Sequence, residues 1–199
     1  MNNEHMILAA GWILFCVLHS VLASLWCKQI IAGWLGAKFV SYRIVYSLFA
    51  FFSFSAIIIY QLSIESKIIF TSGPTVKIIG WLLFSCGFII ISVCGYKYFS
   101  RVTGINWLIR NDAKQILVHG GIHRYIRHPL YLGTFLLIWG LWILFPKLSL
   151  LIMNMIITVY TLLAIPFEEQ KLEKEFGENY INYKKKTPMI IPRFRFSKV

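Results

Sequence analysis

Between Gly121 and Gly133 the chain reads Gly-Ile-His-Arg-Tyr-Ile-Arg-His-Pro-Leu-Tyr-Leu-Gly, gathering two His, two Arg and two Tyr into one short stretch. Imidazole moves protons near neutral pH, guanidinium grips carboxylates, and tyrosine offers both a hydroxyl and a cation-binding ring face. Pro129 suits the first position of a helix, where a missing N–H costs nothing. His128, preceding that proline, is pushed toward extended backbone. A basic, aromatic loop therefore turns abruptly into an apolar helix. Charges at the head of a membrane span cost desolvation, which favours a functional reason for them. A positive-inside anchor accounts for Arg124 and Arg127 but not for His123 and His128.

The rest of the chain must hold that stretch. With 58% hydrophobic and 17% aromatic residues in 199, the composition is that of a polytopic membrane protein of one domain. The net charge of +12 would suggest a nucleic-acid partner in a soluble protein. Here the bases lie in loops between apolar stretches, so anionic lipid headgroups are the expected partner and nucleic acid is not. Cys16, Cys27, Cys86 and Cys94 lie in or next to apolar segments without a Cys-x-x-Cys pair, so neither a disulfide framework nor a metal site is expected.

Five apolar stretches are long enough to span: Met6–Trp26, Tyr42–Leu62, Ile78–Tyr96, Pro129–Phe145 and Leu148–Phe167. The fold class is all-α, a polytopic membrane protein with about five transmembrane helices, ending in a C-terminal amphipathic helix and tail. Residues 6–98 form a three-helix N-terminal part. Residues 99–199 form the cofactor-binding part of the same domain. In the third span Gly80, Ser85, Gly87 and Ser92 are expected to pack against neighbouring helices. His19 interrupts the first span and is expected to bond a neighbouring helix rather than line a cavity. A basic loop carries Lys28, Lys38 and Arg43, and the remaining inner bases are shared between the long loop 97–127 and the C-terminal tail. All Lys and Arg except Lys67, Lys77 and Lys147 fall in the first loop, the central loop or the tail, which puts the N-terminus outside and the C-terminus in the cytoplasm.

Spans four and five are joined by the tight Pro146-Lys147 turn, so they are antiparallel neighbours. His128, at the start of one, then emerges beside Glu168 and Glu169, at the end of the other. A carboxylate pair meets the His/Arg/Tyr cluster over an apolar bundle, an arrangement able to take a polar cofactor from one side and a greasy acceptor from the other. The bland alternative is a Glu–Arg ion pair closing the bundle. A di-iron site is disfavoured because the chain has only 5 His, and those at positions 5 and 19 lie far from the cluster. Nucleophilic hydrolysis lacks a Ser/His/Asp or Cys/His arrangement. Group transfer from a soluble cofactor to a lipophilic acceptor fits.

Arg127-His-Pro-x-Tyr-x-Gly133, followed by Glu168-Glu-x-x-Leu-x-x-x-Phe-Gly-x-x-Tyr-x-x-Tyr183, resembles the isoprenylcysteine carboxyl methyltransferase and phospholipid methyltransferase superfamily. Leu18-His-Ser-Val-Leu-Ala-Ser24, Tyr42-Arg-Ile-Val-Tyr46 and Pro188-Met-Ile-Ile-Pro192 are more similar to its bacterial branch, which includes methanethiol S-methyltransferase. The resemblance implies S-adenosylmethionine as methyl donor. Carried over by position, it implies that His128, Pro129, Leu130 and Tyr131 contact the cofactor. By the same carry-over Gln115, Ile116, Leu117 and Val118 line it through the backbone, and Glu168, with Glu169 as second choice, holds a polar group of it. Two positions depart from the family. Gly121-Ile-His123 stands where Gly-Pro-Tyr is usual. Ala164 stands where prenylcysteine enzymes carry an Arg, which argues against a prenylcysteine carboxylate as acceptor.

Together these readings describe an integral membrane methyltransferase of a bacterial inner membrane with a cytoplasmic site, acting on a small thiol or lipophilic acceptor. Arg127 or protonated His128 would lower a thiol's pKa, and neutral His123 would serve as base. The rivals are a non-catalytic membrane scaffold and an NADPH-dependent membrane reductase of related architecture. The acceptor's identity, the atom methylated and the oligomeric state are not encoded in any motif of the chain.

Overall fold

The computed structural model describes residues 2–102 and 117–192. Apart from one isolated antiparallel bridge between Ile68 and Lys147, regular structure among them is helical. In chain order the helices are α1 Asn3–Ala23, α2 Leu25–Leu35, α3 Val40–Ser63, α4 Pro74–Val102, α5 Pro129–Leu144, α6 Leu148–Phe176 and α7 Glu178–Lys186, with 3-10 turns at Gly36–Phe39 and Gly121–Arg124. Asn3–Ala23, Ile44–Ser63, Pro74–Tyr96 and Leu148–Phe176 are long and apolar enough to cross a membrane, and α5 is a shorter apolar helix of 16 residues. These are the five spans expected from the sequence. At about 1.5 Å per residue α5 reaches only about 24 Å. Large side chains such as Leu62 and Phe167, 79% and 72% exposed, face outward, as they do where the surrounding solvent is lipid rather than water.

One expectation needs correction. The first basic loop is largely helix. Ser24 adopts extended backbone and ends α1, and its Oγ accepts from Cys27 N at 3.2 Å to cap α2. The run Leu25–Ala32 contains no Gly or Pro, so nothing local stops the new helix once it is capped. The acidic stretch after span five, the start of the expected C-terminal amphipathic part, is continuous with the span: α6 runs to Phe176, through Pro166. Proline removes one ladder bond there without ending the helix, which membrane helices tolerate. Only the part to Phe167 is apolar. Glu168, Glu169, Lys171, Glu173, Lys174 and Glu175 follow within the last turns, so this end of α6 stands clear of the hydrocarbon. Gly177 stops α6, with φ +53°, in the left-handed region that favours glycine.

The described residues fall into two compact units. The first comprises residues up to Thr71 and Phe145–Tyr160. In it α1 packs on α3. Trp12 Nε1 donates to Gln61 Oε1 at 2.9 Å, and the Tyr46 hydroxyl lies 3.0 Å from His19 Nδ1. Ser20 Oγ meets the Tyr160 hydroxyl at 2.8 Å. His19 thus bonds a neighbouring helix, as expected. The loop after α3 is fastened to the turn before α6 by Ile69 N to Pro146 O at 2.8 Å and Leu148 N to Lys67 O at 2.9 Å.

The second unit comprises Ser72–Phe99, the chain from Leu117 to Leu144, and the residues from Thr161 onward. Its α4 and α5 meet backbone to backbone. A Cβ on Gly87 would lie 2.5 Å from Leu137 N and 2.6 Å from Gly133 O, and one on Gly140 would lie 2.5 Å from Phe84 N and 2.9 Å from Gly80 O. Gly80 faces Gly140 and Gly87 faces Gly133, so the two helices run antiparallel along a seam that only hydrogen side chains permit. Of the four packing positions expected in this span, Gly80 and Gly87 are buried in the seam. Ser85 and Ser92 are exposed.

Candidate active site

The second unit gathers its polar groups at the start of α5. Gly121, with φ +63°, opens the 3-10 turn Gly121–Arg124, a conformation that costs a side chain-bearing residue strain. The turn delivers the loop to Ile126, which is buried, and then to Arg127, His128 and Pro129, the first residue of α5. The proline disfavours helical backbone at His128, and the N–H groups of Arg127 and His128 both find partners outside α5. Pro188 O accepts from Arg127 N at 2.9 Å, and Met189 O accepts from His128 N at 3.0 Å. The segment after α7 is thereby laid against the loop.

One carboxylate organises the side chains. Glu169 on α6 is 5% exposed, and its Oε1 accepts from Arg127 Nε at 2.8 Å and Nη2 at 2.6 Å. His128 Nε2 lies 3.1 Å from the same oxygen, and Lys184 Nζ lies 2.9 Å from Oε2. Burial alone would raise the Glu169 carboxyl. Hydrogen bonds from Lys184, Arg127 and His128 outweigh it and hold the group down to about 2. The remaining donors of Arg127 reach the backbone: Nη1 donates to Lys184 O at 3.1 Å and also to Thr187 O. Lys184 continues outward to Glu173 Oε1 at 2.8 Å, and its pairs with Glu173 and Glu169 raise its own pKa. Tyr180, fully buried on the same helix, has its hydroxyl pushed up to about 12 by burial and then by the Glu169 charge.

Glu168 is set differently. Its side chain is 43% exposed, and Tyr131 OH donates to its Oε2 at 2.6 Å. The Tyr131 ring stacks on His128 with centroids 5.4 Å apart and planes 18° from parallel. His128 Nδ1 stands 3.8 Å from Glu168 Oε2, too far for a hydrogen bond. Since Nε2 faces the Glu169 carboxylate, the network assigns the ring proton to Nε2, and Nδ1 presents its lone pair on the Glu168 side. His123 Nδ1 lies 3.2 Å from Arg127 O, which makes Nδ1 the donor and Nε2 the basic nitrogen. Tyr183 OH donates to His123 O at 2.6 Å and fixes the turn.

The structure therefore brings together Arg127, His128, Pro129, Tyr131, Glu168 and Glu169, with His123 one turn away. The Glu–Arg ion pair weighed in the sequence exists at Glu169, while Glu168 remains the outward-facing acid. Leu130 is 43% exposed, and Leu117 and Val118 are half-buried outside any helix. Gln115 and Ile116 lie outside the described residues. Sequence reasoning missed Lys184 and Thr187, which sat in a run taken as loop charge. The available signal was helical spacing: Tyr180, Tyr183, Lys184 and Thr187 recur at three and four residues and share one face.

Residues 76–179 match the family described as Phospholipid methyltransferase, more than half of the chain, and the match contains every side chain just described up to α7. The chain belongs to the phospholipid methyltransferase family. Among curated members and relatives, methanethiol S-methyltransferase of Crocosphaera subtropica is 41% identical over 70 residues, 35% of this chain and 27% of that one. Methanethiol S-methyltransferase 1 of Bradyrhizobium diazoefficiens is 28% identical over 191 residues, 90% of this chain and 64% of that one. Protein-S-isoprenylcysteine O-methyltransferase of Xenopus laevis is 31% identical over 99 residues, 45% of this chain and 32% of that one. The chain thus spans less than two thirds of the length of these relatives. No solved structure matches it significantly.

Proposed function

We propose that this chain is an integral membrane methyltransferase that uses S-adenosylmethionine and acts on a small thiol or lipophilic acceptor. The observation that carries this reading is the contrast between the two adjacent acids. Glu169 is consumed by three donors, whereas Glu168 is half-exposed, held by Tyr131 OH and flanked by the lone pair of His128 Nδ1. Two acceptors side by side under an aromatic ring suit a ligand that offers hydroxyl or ammonium donors and a cationic centre. S-adenosylmethionine is such a ligand, and when bound it supplies an activated methyl group.

The chain's own residues divide the remaining work. Glu168 and His128 accept the cofactor's donors, and the Tyr131 face steadies positive charge by about 0.5–2 kcal/mol. Arg127 holds Glu169 and the backbone after α7, so its role is to position rather than to activate a thiol. His123, whose Nδ1 faces Arg127 O, stands beside the cluster as the candidate base for an acceptor thiol. The site faces the cytoplasm of a bacterial inner membrane in this reading, because Arg127 and the Lys184–Lys186 run lie at it. Exposed Lys185 and Lys186 beside it meet anionic headgroups. Ala164, where the resembling prenylcysteine enzymes carry an Arg, favours a thiol over a prenylcysteine carboxylate. So do the relatives named for methanethiol.

Calorimetric binding of S-adenosylmethionine, S-adenosylhomocysteine and NADPH to detergent-purified protein, beside Glu168→Gln, tests the reading. Micromolar binding of S-adenosylhomocysteine that weakens at least tenfold in the folded variant is the expected result. No binding of either sulfur compound by folded wild type refutes it, and NADPH binding alone would favour the reductase.

A further inference from the structure

A polar cavity apart from the candidate active site lies wholly within the first unit. Asn2 and His5 from the start of α1 line it, with Ser63 from the end of α3 and Leu148 from the start of α6. The ends of three spans therefore bound it, which places it at headgroup depth, at the end of α6 away from Glu168. Its volume of about 780 Å³ falls within the range of small-molecule sites, about 300–1,000 Å³.

The walls are fastened to one another. The chain after α3 forms no helix before Pro74, yet Leu148 N donates to Lys67 O at 2.9 Å and Ser149 N donates to Ser66 Oγ at 2.8 Å. His5, 4% exposed, meets Asn2 Oδ1 through Nδ1 and lies with Nε2 3.4 Å from the same Ser66 Oγ. Helix starts and loop thus share one part-buried polar knot. Around it the cavity carries charge: Glu65, Lys67 and Lys147 line it and are exposed. Glu65 and Lys67 stand two residues apart with opposite charges, but among the described residues neither takes part in an ion pair. Lys147 adds a second cation, and the starts of α1 and α6 add partial positive charge. A ligand with one anionic and one ammonium group uses all three side chains. One rim is apolar. Leu62 and Ile64 line the cavity, and exposed Ile59, one turn before Leu62 on α3, continues the apolar surface into the span. Among the described residues lining the cavity the only aromatic ring is the His5 imidazole, so there is no cage for a quaternary ammonium. Glu65 suits an ammonium that carries N–H donors.

We propose that this cavity is a headgroup site for a resident phospholipid of the ethanolamine class. Lys67 and Lys147 take the phosphate, Glu65 takes the primary ammonium, and the acyl chains follow Leu62 and Ile59. The lipid is not the methyl acceptor, because the cavity lies at the opposite end of α6 from Glu168. The proposal stands independently of the cofactor reading.

Photo-cross-linking of the full chain in detergent tests it, with a photoreactive phosphatidylethanolamine as probe and mass spectrometry to map the adducts. Adducts should concentrate on residues 59–67 and 147–148. Unlabelled phosphatidylethanolamine should compete about fivefold better than phosphatidylglycerol or phosphatidylcholine of the same chains, and at least tenfold better than soluble glycerophosphoethanolamine. Lys67→Gln and Lys147→Gln should each weaken labelling about fivefold, the effect usual for one lysine near a lipid phosphate. Glu65→Gln should erase the preference over phosphatidylglycerol. Lys77→Gln, outside the cavity wall, should change nothing. Adducts spread evenly along the spans, or equal competition by the three lipids, overturn the proposal as ordinary lipid contact. Competition by the soluble headgroup as strong as by the lipid overturns it in favour of a free phosphoester. A Lys77→Gln loss equal to that of Lys67→Gln overturns it as general basic attraction. The competition series on wild type decides by itself should a variant not fold.

Discussion

In the first unit His19 meets Tyr46, Ser20 meets Tyr160 and Trp12 meets Gln61. Each is a neutral pair between two helices. In the second unit His128 meets Glu169, but so do Arg127 and Lys184, and a second acid stands next to the first with half its side chain in the open. Histidine and tyrosine appear in both places, so residue type does not separate them. What separates them is charge and surplus. A neutral pair in an apolar bundle satisfies two groups that would otherwise be stranded, and is worth about 1 kcal/mol. A charged cluster with an exposed acid retains capacity to bind something else, and its cost in desolvation is intelligible only if it does.

The largest effect that would break this contrast lies at Arg127. Arg127→Met removes two hydrogen bonds to a buried carboxylate and two to backbone carbonyls, leaving Glu169 with Lys184 and His128 alone. Breaking such a pair by one partner costs about 3–5 kcal/mol, so thermal unfolding in detergent should move sharply downward and S-adenosylhomocysteine binding should vanish. If stability is unchanged, the cluster is no more a fastening than the neutral pairs are.

Acid should separate the units next. The Glu169 carboxyl sits at about 2 in the fold against an ordinary 4.5, so the folded protein binds fewer protons between those values. The stability this supplies is complete above the ordinary value and drains as pH falls toward the lower one. Unfolding temperatures measured down that range should decline in wild type and decline less in Glu169→Gln. Parallel curves would place the acid sensitivity elsewhere.

The smallest effects make the sharpest comparison. Tyr46→Phe and Tyr131→Phe delete the same hydroxyl in the two units, and each should cost about 1 kcal/mol in unfolding free energy. Only Tyr131→Phe, which lets go of Glu168, should weaken S-adenosylhomocysteine binding several-fold. Equal binding in both variants would mean that Glu168 needs no holder.

The spans, the inward turn of His19 and the meeting of His128 with Glu168 and Glu169 were readable before any coordinates, because hydropathy fixes spans and a short turn fixes which ends meet. The division of labour between the two acids was not. Adjacent residues on a helix point about 100° apart, and no local rule says which of Glu168 and Glu169 turns toward Arg127. Lys184 was hidden for a related reason. In a run of three lysines the inward one is chosen by the helix that carries it, and α7 begins only where Gly177 resets the backbone. The helix Leu25–Leu35 escaped because a short run with one Lys, between a span and further bases, reads as a loop unless the Ser24 cap is recognised. The glycines of α4 and α5 were half readable: Gly80 and Gly87 stood out as small residues, whereas the serines beside them carry the same label and face outward.

That glycine seam also sets a height. Gly80 and Gly87 on one helix, and Gly133 and Gly140 on the other, recur at seven-residue intervals, so sliding the helices past one another brings glycine back opposite glycine only after about 10.5 Å. Every smaller slip drives a larger side chain into backbone. The pair works like a detent with one usable notch. His128 stands five residues before Gly133, immediately ahead of that helix, and inherits the notch as its depth. A thicker or thinner bilayer can tilt the two helices together but cannot slide His128 along α4.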